Sequence, residues 1–328
     1  MLKEHQNMHE HKQERGSRLM RRIARPLALA ALAALSSMAI VRPAAALDFD
    51  LSRYSLSATH ALPDIEAAEA SAVTWNWNTG TLFVLGDEGD ALVEVDRQGR
   101  RLSAMTLTGF HDTEGLTYIG TDAGGAHRFV VLEERLQTGY LLSYGAGTSI
   151  DRAQLDSAVF GPTVGNIGLE GLSWDPRDGS FVAVKEKTPS AVLSMNATFG
   201  SGAAPAVSAL FDPAGLGVAD LADVQVLSTF AALSGSASAD HLLLLSQESP
   251  ALLQVDRSGR VLARLDLSGV AGDIEGVTIG SDGTLYLVGE TPALYVLSAA
   301  PVPEPSTWAL MAAGLGALGL QARRRQRR

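Results

Sequence analysis

The sequence predicts an all-β fold: a β-propeller of four-stranded blades, five in number, with the ring closed by an N-terminal strand. Three observations lead there. An acid heading a short apolar run recurs at Glu69, Glu114, Glu170, Asp223 and Glu275, with spacings of 45, 56, 53 and 52 residues. A period of that size signals a repeat architecture, and four short strands in roughly 50 residues fit a propeller blade. The segment ALVEVDRQGR at 91–100 returns almost verbatim as ALLQVDRSGR at 251–260. The last repeat holds only three strands, ending near Leu297, while residues 54–62 match the fourth-strand pattern of 101–107. An N-terminal strand that completes the C-terminal blade removes the exposed sheet edges.

Taken in order, residues 1–46 read as a signal peptide. A basic lead ends at Arg21, Arg22 and Arg25, an apolar run covers 27–40, and Ala44 and Ala46 supply the small-residue pattern that signal peptidase cleaves. Residues 47–300 form the propeller domain. Apolar strands rich in Val, Leu and Tyr alternate with turns such as Asn78-Thr79-Gly80 and Ser281-Asp282-Gly283, which are hairpin signals. The stretches 140–169 and 188–222 are long enough to hold insertions or a degenerate sixth blade.

Residues 301–328 carry a second address. Pro303, Glu304 and Pro305 precede an apolar stretch at 309–320, and Arg323, Arg324, Arg325, Arg327 and Arg328 close the chain. The apolar stretch falls short of the roughly 20 residues of a comfortable spanning helix. The box, the short helix and the basic tail, in that order, resemble the PEP-CTERM sorting signal of Gram-negative bacteria. That resemblance implies export through the inner membrane, transient membrane attachment by the short transmembrane helix, processing by an exosortase, and delivery to the envelope, surface or extracellular matrix.

Charge and composition narrow the partners. Residues 47–302 hold 13 Lys and Arg against 32 Asp and Glu, which excludes a nucleic-acid face. A cation, a basic group or a neutral ligand suits this body better. The chain has no cysteine, so disulfides, thiolate metal sites and cysteine nucleophiles are excluded.

Two sets of acids recur once per repeat. Glu69, Glu114, Glu170, Asp223 and Glu275 each stand just before an innermost strand. Asp87 with Glu88, Glu133 with Glu134, Glu186, Glu248 and Glu290 follow the second strand. Equivalent blade positions point to equivalent places, so both sets are expected around one end of the channel, with Arg135, Lys185 and Lys187 as nearby bases. Oxygen-rich clusters suit Ca2+, and the first set is the candidate metal site. The same acids also serve as hydrogen-bond acceptors between blades, beside glycines that let strands approach closely, or as catalytic carboxylates. Among the histidines, His111, His127 and His241 lack the spacing of a zinc site. Trp75, Tyr118 and Trp174 share one repeat position and read as inter-blade core, whereas Trp77 stands two residues beyond that position.

The body motifs run from Glu69-Ala70-Ser71 to Trp75, then TGTLFV at 79–84, LVEVD at 92–96, EGLSWDP at 170–176 and Val184-Lys185-Glu186. In this order they resemble the SdiA-regulated (YjiK-like) β-propeller family over residues 62–298. The resemblance implies an envelope-associated propeller and offers no catalytic residues to carry over. The expected function is a ligand-binding or scaffold module, with calcium in its acidic end and an envelope glycan or small ligand as partner. The alternatives are a metal-dependent hydrolase like the phytase-like esterases or propeller lactonases, with Asn166 beside Glu170, and a purely structural matrix protein.

Overall fold

The inner strands are too apolar to leave a face to water, and the fold packs each blade between two neighbours. The computed structural model describes residues 48–87, 90–271 and 273–301, with positions 314, 315, 318, 323, 325 and 326. A first strand, β1 (Tyr54–Ala61), is followed by blade one: β2 (Ala70–Asn76), β3 (Thr81–Gly86), β4 (Ala91–Val95) and β5 (Arg101–Thr108). Blade two comprises β6 (Thr113–Thr121), β7 (His127–Glu133) and β8 (Thr138–Ser143). After a detour through β9 (Ser149–Asp151), β10 (Asp156–Val159) completes it. Blade three is β11 (Leu169–Asp175), β12 (Ser180–Lys185), β13 (Ala191–Asn196) and β14 (Ala206–Phe211). Blade four is β15 (Asp223–Val226), β16 (Leu242–Ser246), β17 (Ala251–Val255) and β18 (Val261–Asp266). Blade five contains β19 (Ile274–Ile279), β20 (Leu285–Gly289) and β21 (Ala293–Ala299), with β1 as its fourth strand.

The expected closure is present. β1 pairs antiparallel with β21, Tyr54 opposite Ala299 and Ala61 opposite Ala293. The chain ahead of β1 is fastened to blade four: Gln254 accepts from Leu51 N at 3.0 Å and donates to the Phe49 carbonyl at 3.0 Å. No sixth blade forms among the described residues. The first long stretch supplies β9, which crosses to pair in parallel with β5 of blade one, and the second folds into β13, β14 and a 3-10 turn at Pro213–Leu216.

Period-two alternation explains the core. In β3, Leu82 and Val84 pack toward blade five, while Phe83 and Leu85 pack toward blade two. The other three junctions repeat this arrangement, giving five separate hydrophobic clusters, one between each pair of neighbouring blades. The near-verbatim segments share one turn. Asp96 accepts from Gln98 N and Arg100 N, Asp256 accepts from Ser258 N and Arg260 N, and Gly99 and Gly259 take φ of 73° and 84°.

The signal segment with Ala44 and Ala46, the box Pro303, Glu304 and Pro305, and Glu88 lie outside the described residues. Among the described residues no helix is long and apolar enough to cross a membrane.

Candidate functional site at the acidic end of the ring

The innermost strands β2, β6, β11, β15 and β19 touch in sequence, and β19 touches β2 to close the circle. A ring of polar side chains joins them. Tyr118 N donates to Thr74 Oγ1 (3.1 Å), Trp174 N to Thr117 Oγ1 (2.9 Å), Val226 N to Ser173 Oγ (3.0 Å) and Trp75 N to Thr278 Oγ1 (3.1 Å). At the remaining junction Thr278 Oγ1 donates to Gln225 Oε1 at 2.9 Å. These buried groups fill the middle of the channel, leaving about 10 Å³ there, and so divide the ring into two ends.

Each inner strand begins at the acidic end. Glu114, Glu170 and Glu275 lie inside β6, β11 and β19 rather than ahead of them, each as the extra residue of a β-bulge. A bulge leaves one residue unpaired and re-aims its side chain, here toward the channel. Counting back from the polar ring corrects the sequence alignment in two blades. The structural equivalents of these glutamates are Ser71 in blade one and Ala222 in blade four, not Glu69 and Asp223. Asp223 occupies the position of Gly115, Gly171 and Gly276. Its carboxylate accepts from its neighbour Val224 N at 2.7 Å and from Val277 N of the next blade at 2.8 Å. A Cβ on Gly171 would stand 2.5 Å from the Asp223 backbone, so glycine is required where the strands meet this closely.

Glu69, Glu114, Glu170 and Glu275 line one cavity of about 310 Å³ together with Asp87, Glu186 and Glu290 of the second acid set. Four of the five candidate metal residues are therefore brought together, and Asp223 is held apart. Glu133 is also held apart, fully buried and paired with Arg152. Glu248 meets Lys187, which also pairs with Glu186. Asn166 lines the cavity and accepts from Arg135 at 3.2 Å. Lys185 is spent on the backbone carbonyls of Lys187 and Pro189.

Two carboxylate triads emerge: Asp87, Asp112 and Glu114, and Glu134, Glu170 and Glu186. Within each, ligand oxygens lie within 4.8 Å of one another. Glu134 links the triads, since it lies within hydrogen-bond reach of both Asp112 and Glu170 and accepts from Gly168 N at 2.5 Å. Asp112 is 5 % exposed. Its Oδ1 meets Arg135 at 2.7 Å, while its Oδ2 is buried without a hydrogen-bond partner among the described residues. Asp112 and Glu134 lie outside the acid set that the repeat marks as the candidate metal site. Asp112 directly precedes the Thr113-Glu114 pair, and Glu134 follows the second strand of the same blade, which is the available signal.

The electrostatics follow from the crowding. Burial pushes the Glu114 carboxyl up to about 8, helped by repulsion from Asp87, Asp112 and Glu134 and opposed by a hydrogen bond with Ser71. Glu170 is raised by burial, then by Glu114 and Glu134. Glu275 is raised by burial, then by Glu114 and by contact with Glu290. Carboxylates this close demand either shared protons or a cation. The three body histidines stand elsewhere: His111 is exposed, His127 meets Tyr118 Oη at 3.0 Å, and His241 meets Gln254 at 3.0 Å.

A family model described as SdiA-regulated matches residues 47–298, and one described as the PEP-CTERM protein-sorting motif matches residues 301–325. Among solved structures, the chain is similar to the WD40 β-propeller domain of Doa1, at 12% identity and TM-score 0.43 over 75% of this chain and 97% of that one. It is also similar to streptogramin B lyase, at 9% and 0.41 over 77% and 100%, and to a luciferin-regenerating enzyme, at 10% and 0.47 over 75% and 96%. Likenesses at this level bear on none of the chemistry.

Proposed function

The chain belongs to the SdiA-regulated family, and on that premise we propose that it is an exported propeller that binds calcium in the acidic end of its ring and serves as a ligand-binding module of the envelope. Its PEP-CTERM signal indicates export, exosortase-mediated processing and association with the envelope of a Gram-negative bacterium.

One observation carries the calcium reading: the two adjoining carboxylate triads, with the buried, unpartnered Asp112 Oδ2 among them. Calcium takes six to eight oxygens in flexible geometry. Asp87, Asp112 and Glu114 would supply one set of carboxylate oxygens and Glu134, Glu170 and Glu186 the other, with water completing each shell. The ion would replace the protons that burial and crowding otherwise favour on Glu114, Glu134 and Glu170. The all-oxygen donor set favours a hard cation over zinc or copper.

Isothermal titration of the purified protein with CaCl2 after EDTA treatment tests this reading. Saturable binding is expected, lost in Glu114→Gln combined with Glu170→Gln. Binding that survives the double substitution, or no binding at millimolar calcium, refutes it.

A further inference from the structure

The opposite end of the ring has different chemistry. Where the inner strands leave the channel, a cavity of about 750 Å³ opens, and none of its lining residues is ionisable. Two partly exposed indoles dominate one wall. Trp77 and Trp174 lie nearly parallel, with centroids 6.1 Å apart and planes 17° apart, and Trp77 rests on Tyr118 at 4.4 Å.

The repeat shows that Trp77 is not part of the ring's general architecture, whereas Trp174 shares its position with Trp75 and Tyr118. The position two residues beyond the last inner-strand residue packed on the polar ring is Trp77 in blade one. In the other blades it is Gly120, Pro176, Ser228 and Ser281, and all five positions line the cavity. A packing role common to the blades would repeat the large side chain. One indole set among four compact residues instead makes a one-sided platform facing open space. Blade four adds a further wall. Its link between β15 and β16 runs over residues 227–241 through three 3-10 turns, whereas the equivalent links are 77–80, 122–126, 176–179 and 280–284.

The polar groups around the platform are oriented by the protein beneath them. Ser281 Oγ accepts from Trp75 Nε1 at 2.8 Å, which leaves its hydroxyl to donate into the cavity. Ser228 Oγ donates to Asp175 at 2.9 Å, which leaves it to accept. Asn78 Oδ1 accepts from Tyr118 Oη at 2.7 Å, which turns its NH2 outward. A pair of partly exposed, stacked indoles, aromatic groups with a negative π face, ringed by neutral donors and acceptors, matches a sugar ring, whose C–H face is apolar and whose edge is hydroxyls. The volume lies within the usual range of small-ligand sites. An organic cation would find its charge partners at the other end of the ring, and an organic anion would find no base in this lining.

We propose that this cavity is a second binding site, for an uncharged carbohydrate stacked on Trp77 and Trp174 and hydrogen-bonded by Asn78, Ser228 and Ser281. It is independent of the calcium reading, since it shares no residue with the acidic cavity.

The test is tryptophan fluorescence and calorimetry of the whole protein against neutral hexasaccharides of glucose, mannose, xylose and N-acetylglucosamine, with an oligogalacturonate as the charged control. At least one neutral oligomer should bind saturably and shift the emission, and the oligogalacturonate should bind more weakly. Trp77→Ala should cost about tenfold or more in affinity, the scale of a lost aromatic stacking contact with its neighbours. Because Trp77 also packs on Tyr118, Ala231→Trp gives a second variant: it fills the exposed side of the cavity and should abolish sugar binding with the unfolding temperature unchanged. The calcium response should persist in both variants. No binding of any neutral oligomer to about 10 mM, binding untouched by both substitutions, or Trp77-dependent binding of indole without any sugar would overturn the proposal.

Discussion

Glu114, Glu134 and Glu170 sit where ordinary carboxylates would repel, and their protonation should be visible in stability. Glu114 rises from an ordinary value of 4.5 to about 8 in the folded chain. Below pH 4.5 it carries its proton in both states. Above that the unfolded chain ionises more readily than the folded one, so stability is lost as pH rises toward and through 8. Calcium-free protein should therefore melt at progressively lower temperature between pH 5 and about 8, and saturating calcium should flatten that slope while binding releases protons. A calcium-free melting profile that rises over this window would contradict the assignment. Asp175 behaves oppositely. Burial would raise it, but hydrogen bonds from Arg177 and Ser228, with the Arg177 charge, hold it to about 2. Its contribution is present above pH 4 and fades as pH falls toward 2. The polar ring gives a sharper residue test: Thr117→Val removes the acceptor of Trp174 N. Leaving that buried donor unpaired should cost about 1–3 kcal/mol in chemical denaturation, and an unchanged midpoint would refute the ring's structural role.

At the scale of elements, closure rests on β1 and the few residues before it. Leu51 is fully buried in the cluster between blades four and five, so Leu51→Ala should lose about 2–5 kcal/mol, measured by urea unfolding. A loss below about 0.5 kcal/mol, typical of surface sites, would mean that this segment does not latch the ring. This element was legible in the sequence because its pattern copies β5. β9 was not, since Ser149–Asp151 is short and its parallel partner in blade one is remote in sequence. The acidic end was legible because the bulged glutamates recur with the blades. The register in blades one and four was not, because Glu69 and Asp223 keep the acid but shift its position, and charge periodicity cannot detect a shift of one or two residues. The hydroxyl or amide at Thr74, Thr117, Ser173, Gln225 and Thr278 was the better marker, obscured by its varied residue types. The pairing of Trp77 with Trp174 needed the fold, since their strands are separated by a whole blade.

Residues 48–301 form a ring with five near-equivalent cores and two unlike ends. The repeat builds the frame, and departures from it build the sites: Asp112 and Glu134 enrich the acids of blade two, and Trp77 and the 227–241 link furnish the far cavity. Between the ends, the polar ring stops the channel, so the two cavities stand apart. The most direct test of the central claim is a thermal unfolding scan of the protein at pH 7.5, first in EDTA and then across a calcium titration. A ligand that binds only the folded state raises the unfolding temperature with its concentration. With calcium a saturable upward shift is expected, and it should vanish in Glu114→Gln combined with Glu170→Gln. An unfolding temperature that ignores calcium throughout the titration would contradict that claim and return the acids to a purely architectural role.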